Sequence, residues 1–467
     1  MNRHFLTATC TIAAIATTGA TCLLAKTVKE PAAKGTDKGR KPNILLILAD
    51  DLGLGDLSCQ YSDDMRTPNI DRLFKEGIRL DGFYANCNVS SPSRAGLMTG
   101  RYPILVGVPG VIRDSNHTFG YLAPDAILLP AMLKKAGYNT AHFGKWHLGL
   151  SSPNLPGERG FDYFAGFLGD MMDDYYTHLR NGKNYMRLND KPLEEGKGVH
   201  ATDLFTDMAI DYVDKQKDAS SPFFIYLAYN APHVPLQPPK EWLDKVLSRE
   251  KDITPTRAKL VAMVEQMDYD IGRLVDELKA NGQLDNTLII FTSDNGGYGP
   301  SQSNNGPTRG AKGDMYEGGI RVPCAFCWKN VFAPTRLSDV VMMTDIFPTL
   351  CELTGVPVNH HIDGISVLPL LQGKKQETGD RYLFWTKVKT PGEIGEKRQT
   401  CVRYRDDKII HERPDAKGYE YYNLKSDPLE ENTAAPAGER CEAMLTKLRE
   451  HLAEGDKVPI TGPGTKK

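Results

Sequence analysis

The sequence predicts an α/β protein built on a large, mixed, mostly parallel β-sheet flanked by helices. Short unbroken apolar runs, typical of strands covered on both faces, alternate with segments of helical periodicity. After about residue 375 the pattern changes to short Tyr- and Phe-rich strands followed by one helix, which predicts a small C-terminal α+β domain with an antiparallel sheet. The four apolar runs are Ile44–Ala49, Thr140–Phe143, Phe223–Tyr229 and Thr287–Thr292.

The predicted helices have recognisable ends. Thr67-Pro68 begins one that Gly77 ends, and Asn281-Gly282 ends another. Further helices are predicted at Ala126–Ala136, Thr202–Gln216 and Thr254–Ala280. In the C-terminal region the predicted strands are Arg381–Thr386, Thr400–Arg405, Lys408–Glu412 and Tyr419–Asn423, with a helix near Ala437–Ala453.

The composition excludes several classes of protein. The chain has 467 residues, of which 40% are hydrophobic, and its 57 Lys and Arg nearly balance 59 Asp and Glu. Low-complexity and collagen-like chains are excluded by the modest Gly and Pro content. A net charge of −2 gives no overall field to attract phosphate backbones, so we expect no nucleic-acid partner.

The N-terminus has the pattern of an export signal. Met-Asn-Arg-His precedes the uncharged segment Phe5–Ala25, so residues 1–25 are predicted to be a signal peptide and residues 26–41 a linker. A membrane anchor is the alternative, but the many Thr residues lower the hydrophobicity, and no stable membrane insertion is expected. Cys22 follows Gly-Ala-Thr and leaves lipoprotein anchoring open. We therefore predict an exported, periplasmic or secreted protein.

The cysteines do not form the pattern of a disulfide scaffold. Seven remain after Cys10 and Cys22, and they are dispersed. Cys324-x-x-Cys327 lies in an apolar run without a second pair to complete a zinc site, so we interpret it as a buried strand. One or two disulfides remain possible in an oxidising compartment.

Polar residues follow the first and fourth apolar runs. Asp50 and Asp51 come after the first run, and Asp294 and Asn295 after the fourth. Ligands bind beyond the carboxyl ends of strands in open α/β sheets. Carboxylate and amide oxygens suit a hard cation such as Ca²⁺ or Mg²⁺ better than zinc.

Cationic and proton-donating residues occupy the other strand ends. Lys145 and His147 follow the second run, His233 follows the third, and Lys312 lies in a Gly-rich loop. Each of them alone would more often be a surface residue. Together, beside a hard cation, they favour an anionic substrate such as a phosphate or sulfate ester.

The segment from Cys87 to Arg101 is the most informative. Pro92 and Gly100 delimit a short helix whose N-terminus lies beside Ser90, and such a terminus favours anions. Arg94 adds a guanidinium. Ser90 is therefore a candidate nucleophile, and a serine that only caps the helix is the alternative.

Ser90-x-Pro92-Ser93-Arg94 followed by Thr99-Gly100 resembles the signature of the formylglycine-dependent sulfatases. The similarity covers about residues 41–455, is to arylsulfatase A-like and N-acetylgalactosamine sulfatase-like members, and implies an alkaline-phosphatase-like fold. Serine at position 90, where many members have cysteine, implies a bacterial serine-type member whose formylglycine is made by a radical-SAM maturase. Further matching motifs, in order, are Asp50-Asp51, Gly144-Lys145-Trp146-His147-Leu148-Gly149, Ala231-Pro232-His233, Asp294-Asn295-Gly296, Lys312 with Tyr316–Pro323, Tyr421–Leu424 and Asp427-Pro428.

The resemblance also implies roles for the site residues. It implies that Ca²⁺ is bound by Asp50, Asp51, Asp294, Asn295 and the modified Ser90. Arg94 and Lys145 would hold the modified residue, whose hydrate attacks sulfur. The metal and Lys312 would neutralise the sulfuryl oxygens, and His233 with Lys312 would assist departure of the alcohol. His147 would then take the proton from the remaining hydroxyl of the hydrate. The implied function is hydrolysis of carbohydrate sulfate esters with release of sulfate.

Two other functions remain open. The first is a phosphate or phosphonate ester hydrolase of the related fold, with unmodified Ser90 as nucleophile. Such relatives commonly use zinc and more His ligands, and the oxygen-only set of this chain speaks against them. The second is an inactive, secreted glycan-binding protein that keeps the fold. The loops predicted to contact the leaving group are Val106–His117, Gly169–Asn184 and Tyr298–Arg309. The second contains acidic and aromatic side chains that suit a sugar, which are Asp170, Asp173, Asp174, Tyr175, Tyr176 and His178. The predicted domains are a catalytic domain at residues 42–375 and a C-terminal domain of an antiparallel sheet and a helix at residues 376–455. A disordered tail is predicted at residues 456–467.

Overall fold

The computed structural model describes residues 41–114, 122–389, 397–412 and 418–459. The predicted signal peptide, residues 26–40 of the linker and residues 460–467 of the predicted tail lie outside the described residues. The strands are β1 Asn43–Ala49, β2 Ile78–Leu80, β3 Phe83–Tyr84, β4 Asn139–Lys145, β5 Tyr163–Phe167, β6 Leu179–Arg180, β7 Lys183–Asn184, β8 Met186–Leu188, β9 Lys191–Pro192, β10 Phe223–Ala228, β11 Thr287–Ser293, β12 Cys324–Cys327, β13 Thr335–Leu337, β14 Val341–Met342, β15 Tyr382–Lys387, β16 Gln399–Tyr404, β17 Asp407–His411 and β18 Glu420–Asn423. The helices are α1 Pro68–Glu76, α2 Ser90–Thr99, α3 Leu129–Lys135, α4 Ala201–Lys215, α5 Lys240–Arg249, α6 Pro255–Ala280, α7 Glu317–Ile320, α8 Ile346–Thr354, α9 Leu368–Leu371 and α10 Gly438–Gly455.

A ten-stranded mixed sheet forms the centre of the molecule. Its order is β13-β2-β12-β11-β1-β10-β4-β5-β8-β9. The five central strands, from β11 to β5, are parallel to one another, and antiparallel pairings begin at β12 on one side and β8 on the other. The predicted large, mostly parallel sheet is confirmed.

The four predicted apolar runs are the four adjacent strands β11, β1, β10 and β4. Strand β4 continues to Lys145, two residues beyond the predicted end, so that Lys145 closes the strand instead of following it. Helix α3 begins at Leu129 and not at the predicted Ala126, because Leu128 is extended and Pro130 lies in the first turn. The sequence analysis did not predict helices α5, α7, α8 and α9 or the short outer strands of the sheet.

Helices cover both faces of this sheet, as the alternation of side chains along β1 requires. Ile44, Leu46 and Leu48 belong to a buried cluster that includes residues of α2, α3 and α8. Leu45 and Ile47 belong to a second cluster with residues of α1, α4 and α6. Full burial of β1 on both sides explains its uninterrupted apolar sequence.

The C-terminal region forms the predicted antiparallel sheet, in the order β15-β16-β17-β18, with α10 packed against it. Trp385 and Leu448 are among the residues buried between this sheet and its helix. Asp456, in the predicted tail, forms an ion pair with Arg398. The boundary at residue 375 stays a prediction.

The cysteines within the described residues are free thiols, so the possible disulfides are not formed among them. Cys324 and Cys327 are the ends of the buried strand β12, which confirms the interpretation of that pair as strand residues. Across the described ranges, no helix combines the length and apolar character needed to cross a bilayer.

His142 on β4 should make stability depend on pH. Its ring stacks on Tyr226 at 4.6 Å and its Nδ1 lies 2.9 Å from the Tyr226 carbonyl oxygen. Burial lowers the pKa of His142 to about 3. Between pH 6.5 and 3, the unfolded chain therefore binds a proton at this residue that the folded chain does not bind. The protein loses stability as the pH falls through this range, and the unfolding equilibrium constant rises by up to about tenfold per pH unit. Urea unfolding gives the free energy of unfolding at pH 5 and at pH 7. The difference between the two values should be smaller for His142→Phe than for the unsubstituted protein, and an equal difference would contradict the role of His142.

Candidate active site

Strand register places the predicted residues at one edge of the sheet. Ala49 at the end of β1 is paired with Ser293 of β11, so Asp50 and Asp294 follow side by side. On the other side of β1, the end of β10 is paired with β4, which brings the loop containing His233 and the end of β4 at Lys145 to the same edge. The backbone of Asp50 donates to Ala231 O at 3.0 Å and joins the two neighbouring loops.

Ser90 is the first residue of α2 and is 4% exposed. Its hydroxyl donates to Asp50 Oδ1 at 3.2 Å and also lies 3.4 Å from Asn295 Oδ1. The helix ends at Thr99, and the next residue, Gly100, has a φ of 65° in the left-handed region. Ser90 therefore lies at a helix N-terminus, where partial positive charge favours an anion, and in contact with two residues of the predicted cation site.

Each carboxylate of the site has a cationic partner within 2.8 Å, and Arg94 also lies 3.6 Å from Asp50. All these side chains are buried except that of Lys312, which is 18% exposed. The three carboxylates and three cations leave the cluster close to neutral. The pairs are Asp50–Lys145 at 2.6 Å, Asp51–Lys312 at 2.7 Å and Asp294–Arg94 at 2.8 Å.

These contacts set the charge states of the site. Burial raises the pKa of Asp50, but Lys145, His233 and Arg94 together outweigh burial and hold this pKa below its usual range. Burial lowers the pKa of Lys145, and Asp50 only partly offsets the loss of solvent. The pKa of Lys312 is raised, because Asp51 outweighs burial there. The pKa of Asp51 is also lowered, because Lys312 and His233 outweigh burial, so Asp50 and Asp51 are ionised at neutral pH.

Oxygen atoms dominate a cluster that could hold a metal ion. Donor atoms of Asp50, Asp51 and His233 lie within 4.8 Å of one another. Asn295 Nδ2 donates to Asp51 Oδ1 at 2.9 Å and Asn295 Oδ1 faces Ser90, while Asp294 Oδ1 accepts from the backbone of Asp51 at 3.2 Å. Three carboxylates and an amide oxygen are donors that a hard cation prefers.

His147 is held as a proton acceptor. Its Nε2 lies 2.8 Å from Ile112 O. Because a carbonyl oxygen only accepts, Nε2 carries the proton and Nδ1 keeps its lone pair. Nδ1 is buried and has no hydrogen-bond partner among the residues that the structure describes. Burial, reinforced by Lys145 and Arg94, holds the pKa of His147 well below its usual range, so the ring is a neutral base at neutral pH.

In His233 the two ring nitrogens exchange the roles that they have in His147. Its Nδ1 donates to Val234 O at 2.7 Å, which leaves Nε2 free to face Asp51 Oδ2 at 3.5 Å. The side chain is 11% exposed, so the imidazole is partly accessible beside Asp51. The geometry allows this nitrogen to exchange a proton with a group bound there.

Two family models match the chain in the regions just described. Residues 42–356 match the family described as Sulfatase, and residues 311–457 match the family described as N-sulphoglucosamine sulphohydrolase, C-terminal. The chain belongs to the sulfatase family. Sulfatases are sulfuric ester hydrolases.

Relatives of this sulfatase agree with that assignment. A sulfatase of Formosa agariphila is 30% identical over 506 aligned positions, which cover 90% of each chain. N-acetylgalactosamine-6-sulfatase of Mus musculus is 32% identical over 372 positions, covering 75% of this chain and 69% of the relative. The crystal structure described as Ps i-CgsB in complex with k-i-k-neocarrahexaose has a TM-score of 0.80 and 33% identity, covering 89% of this chain and 94% of that one. A phosphonate monoester hydrolase of Agrobacterium radiobacter, 21% identical with a TM-score of 0.63, shares the fold.

One predicted sugar-contacting loop of the sulfatase is largely occupied by internal contacts. In the segment 169–184, Arg180 binds Asp170 at 2.9 Å and Asp173 at 2.8 Å. Asp174 accepts from the backbone of Tyr176 at 2.9 Å. The expectation that these acidic side chains face a sugar is therefore not supported. Residues 115–117 of the predicted loop Val106–His117 lie outside the described residues.

The sequence did not predict several residues whose side chains bind the backbone of the loops that carry the site residues. Tyr175, predicted to contact sugar, is 1% exposed, and its hydroxyl lies 2.7 Å from Asn230 O and 2.8 Å from His233 O. Lys387 and Gln399 of the C-terminal sheet bind the backbone beside Lys312. No local sequence pattern marks such residues, because their partners are more than 50 residues away.

Proposed function

We propose that this sulfatase hydrolyses sulfate esters of carbohydrates, with a formylglycine made from Ser90 and a bound Ca²⁺. The observation that carries the proposal is the position of Ser90. It begins a helix, is nearly buried, and contacts Asp50 and Asn295 of the oxygen cluster. The serine of this chain would be matured by a radical-SAM enzyme.

Charge balance supports an anionic substrate. Since the three carboxylates of the site are already balanced by three cations, a divalent cation would leave a net charge near +2. A sulfate monoester carries a single negative charge that is shared by its sulfate oxygens, so it is attracted to such a site. Asp50, Asp51, Asp294, Asn295 and the modified Ser90 would hold the Ca²⁺, because they supply the hard donors.

Formylglycine would supply a hydrate with two hydroxyl groups. One hydroxyl would displace the alcohol from sulfur, and deprotonation of the other would release sulfate by breaking the Cβ–O bond, which restores the aldehyde. Arg94 is fixed by Asp294 and donates to Lys145 O at 3.1 Å, so it orients the end of β4 beside Ser90. Lys312 and His233 are partly accessible beside Asp51 and can stabilise and protonate the departing alcohol. His147, neutral with a free Nδ1, can accept the proton that remains.

Carbohydrate is the substrate class that the relatives favour. One is named for N-acetylgalactosamine 6-sulfate, and one solved structure is a complex with a neocarrahexaose. In this chain Tyr298 is a half-buried aromatic side chain whose ring centroid lies 5.8 Å from Lys312 Nζ. An aromatic face at this distance from the reactive group can pack against a sugar ring.

Peptide mass spectrometry tests the proposal directly. Tryptic cleavage after Arg79 and Arg94 releases residues 80–94, which contain Ser90, Ser91 and Ser93. After co-expression with a serine-competent radical-SAM maturase, we expect this peptide to lose two hydrogens, and fragment ions should assign the loss to Ser90. The modified protein should hydrolyse methylumbelliferyl sulfate and then a panel of sulfated sugars, whereas protein made without maturase should be folded and nearly inactive.

A matched phosphate ester separates the alternatives. Unmodified protein that hydrolyses methylumbelliferyl phosphate faster than the sulfate would overturn the proposal in favour of a phosphate ester hydrolase. Modified protein that binds sulfated sugars without turnover would favour the glycan-binding alternative.

A further inference from the structure

The loop that carries Lys312 is held by two different parts of the molecule. The backbone of Lys312 donates to Gly297 O at 3.0 Å, beside the oxygen cluster. The next residue, Gly313, has a φ of 99°, in the left-handed region that favours glycine. Its N–H donates to Asn88 O at 3.0 Å, two residues before Ser90. The loop therefore borders both halves of the site.

Three donors converge on the carbonyl oxygen of Gly313. They are Asn88 Nδ2 at 2.8 Å, Lys387 Nζ at 3.1 Å and Gln399 Nε2 at 3.1 Å. Lys387 ends β15 and Gln399 begins β16, and the two residues are paired in the C-terminal sheet. The carbonyl oxygen of Gly313 thus connects the segment before Ser90, the loop that carries Lys312 and the C-terminal sheet. One of its three donors is the ammonium group of Lys387, whose charge strengthens the hydrogen bond.

The C-terminal sheet also binds the residues that follow. Glu412, just after β17, accepts from the backbone of Met315 at 2.6 Å and from Gln399 at 2.7 Å. Lys408 is buried and lies 2.9 Å from Glu317 and 2.7 Å from Glu430. The segment from Gly313 to Glu317 is therefore bound at several successive points, so its path is set by side chains of the C-terminal sheet.

We propose that Lys387 is a positioning residue that fixes the Lys312 ammonium relative to Ser90 through the Gly313 carbonyl. Lys387 makes its hydrogen bond to that carbonyl, and Lys312 in turn contacts Asp51. The inference rests on the role proposed for Lys312. It adds that the C-terminal sheet sets the geometry of the catalytic residues.

A double-mutant cycle tests whether Lys387 acts through Lys312. A displacement of about 1 Å at a reacting centre can cost about 100-fold in rate, so Lys387→Met should lower kcat/KM for a sulfate ester by about 10- to 100-fold. In a Lys312→Ala background the same substitution should change kcat/KM less than twofold. Lys447→Met, which removes an exposed lysine of α10 paired with Glu450, should leave activity unchanged.

Hydrogen–deuterium exchange of the peptide that spans residues 310–316 gives a readout independent of activity. Lys387→Met should speed exchange there and Lys447→Met should not. Gln399→Leu removes a second donor to the same oxygen and should act in the same direction if Lys387→Met does not fold. Equal effects of Lys387→Met with and without Lys312, or unchanged exchange at 310–316, would overturn the inference. If the unsubstituted protein hydrolysed no ester, the proposed function would fail. The positioning role of Lys387 could still be tested by the same double-mutant cycle, with the affinity for inorganic sulfate as the measured quantity, and by hydrogen–deuterium exchange at residues 310–316.

Discussion

Replacing Ser90 with alanine is expected to lower the rate of sulfate ester hydrolysis by at least about 10⁴-fold, the scale seen when an enzyme loses its nucleophile. Alanine can be neither oxidised to formylglycine nor bonded to sulfur. The hydroxyl lies between Asp50 and Asn295, so its loss removes a contact with the oxygen cluster and leaves the apolar layers untouched. Steady-state kinetics on maturase-treated protein would measure the effect.

Thr99→Ala is the matched control for Ser90→Ala. Thr99 is the last residue of the same helix, is 1% exposed, and its hydroxyl donates within the helix to Ala95 O. We expect this variant to keep its activity and both variants to unfold at temperatures close to that of the unsubstituted protein. Activity of Ser90→Ala similar to that of Thr99→Ala would show that Ser90 is not the nucleophile.

Removal of divalent cations with EDTA is expected to reduce hydrolysis at least about 100-fold, because a bound cation contributes several kcal/mol of charge stabilisation in the transition state. The fold should persist, since Asp50, Asp51 and Asp294 each keep a cationic partner. Activity should return with Ca²⁺, and its dependence on added Ca²⁺ gives the affinity of the site. Recovery with zinc alone would favour the phosphate ester hydrolase.

Substitution of one carboxylate should weaken that affinity in a site-specific way. Asp294→Asn keeps the shape of the side chain but removes its charge, and more Ca²⁺ should then be needed for half-maximal activity. Asp285→Asn is the control, because Asp285 is 68% exposed and pairs with Lys329 on the surface. Equal calcium dependence of the two variants would exclude Asp294 as a ligand.

The central sheet and the site were predictable because each depends on a strong local pattern. Strand β1 is apolar at every position but its first, and it ends abruptly at Asp50. The parallel arrangement then requires that the residues after neighbouring strands meet. The segment from Ser90 to Arg94 is a short helix with a marked N-terminus. These features require no knowledge of residues far away in the sequence.

Other features depend on distant contacts and could not be predicted. Tyr175 lies in an acidic, aromatic segment typical of an exposed loop, yet it is buried by the loop that carries His233. Strand β2 has only three residues and lies between β13 and β12, with which it pairs on its two sides. Lys387 resembles an ordinary strand-end lysine until Gly313 is placed next to it.

The separation in sequence of the residues around Ser90 limits the time at which the proposed oxidation of Ser90 could take place. Ser90 is 205 residues from Asn295, and β1 pairs on both sides with strands made much later. Contacts over such separations form slowly and only after both partners have been synthesised. The walls that leave Ser90 4% exposed are therefore absent while the second half of the chain is still being made. The interval before those strands join the sheet is the time at which another enzyme can reach this side chain.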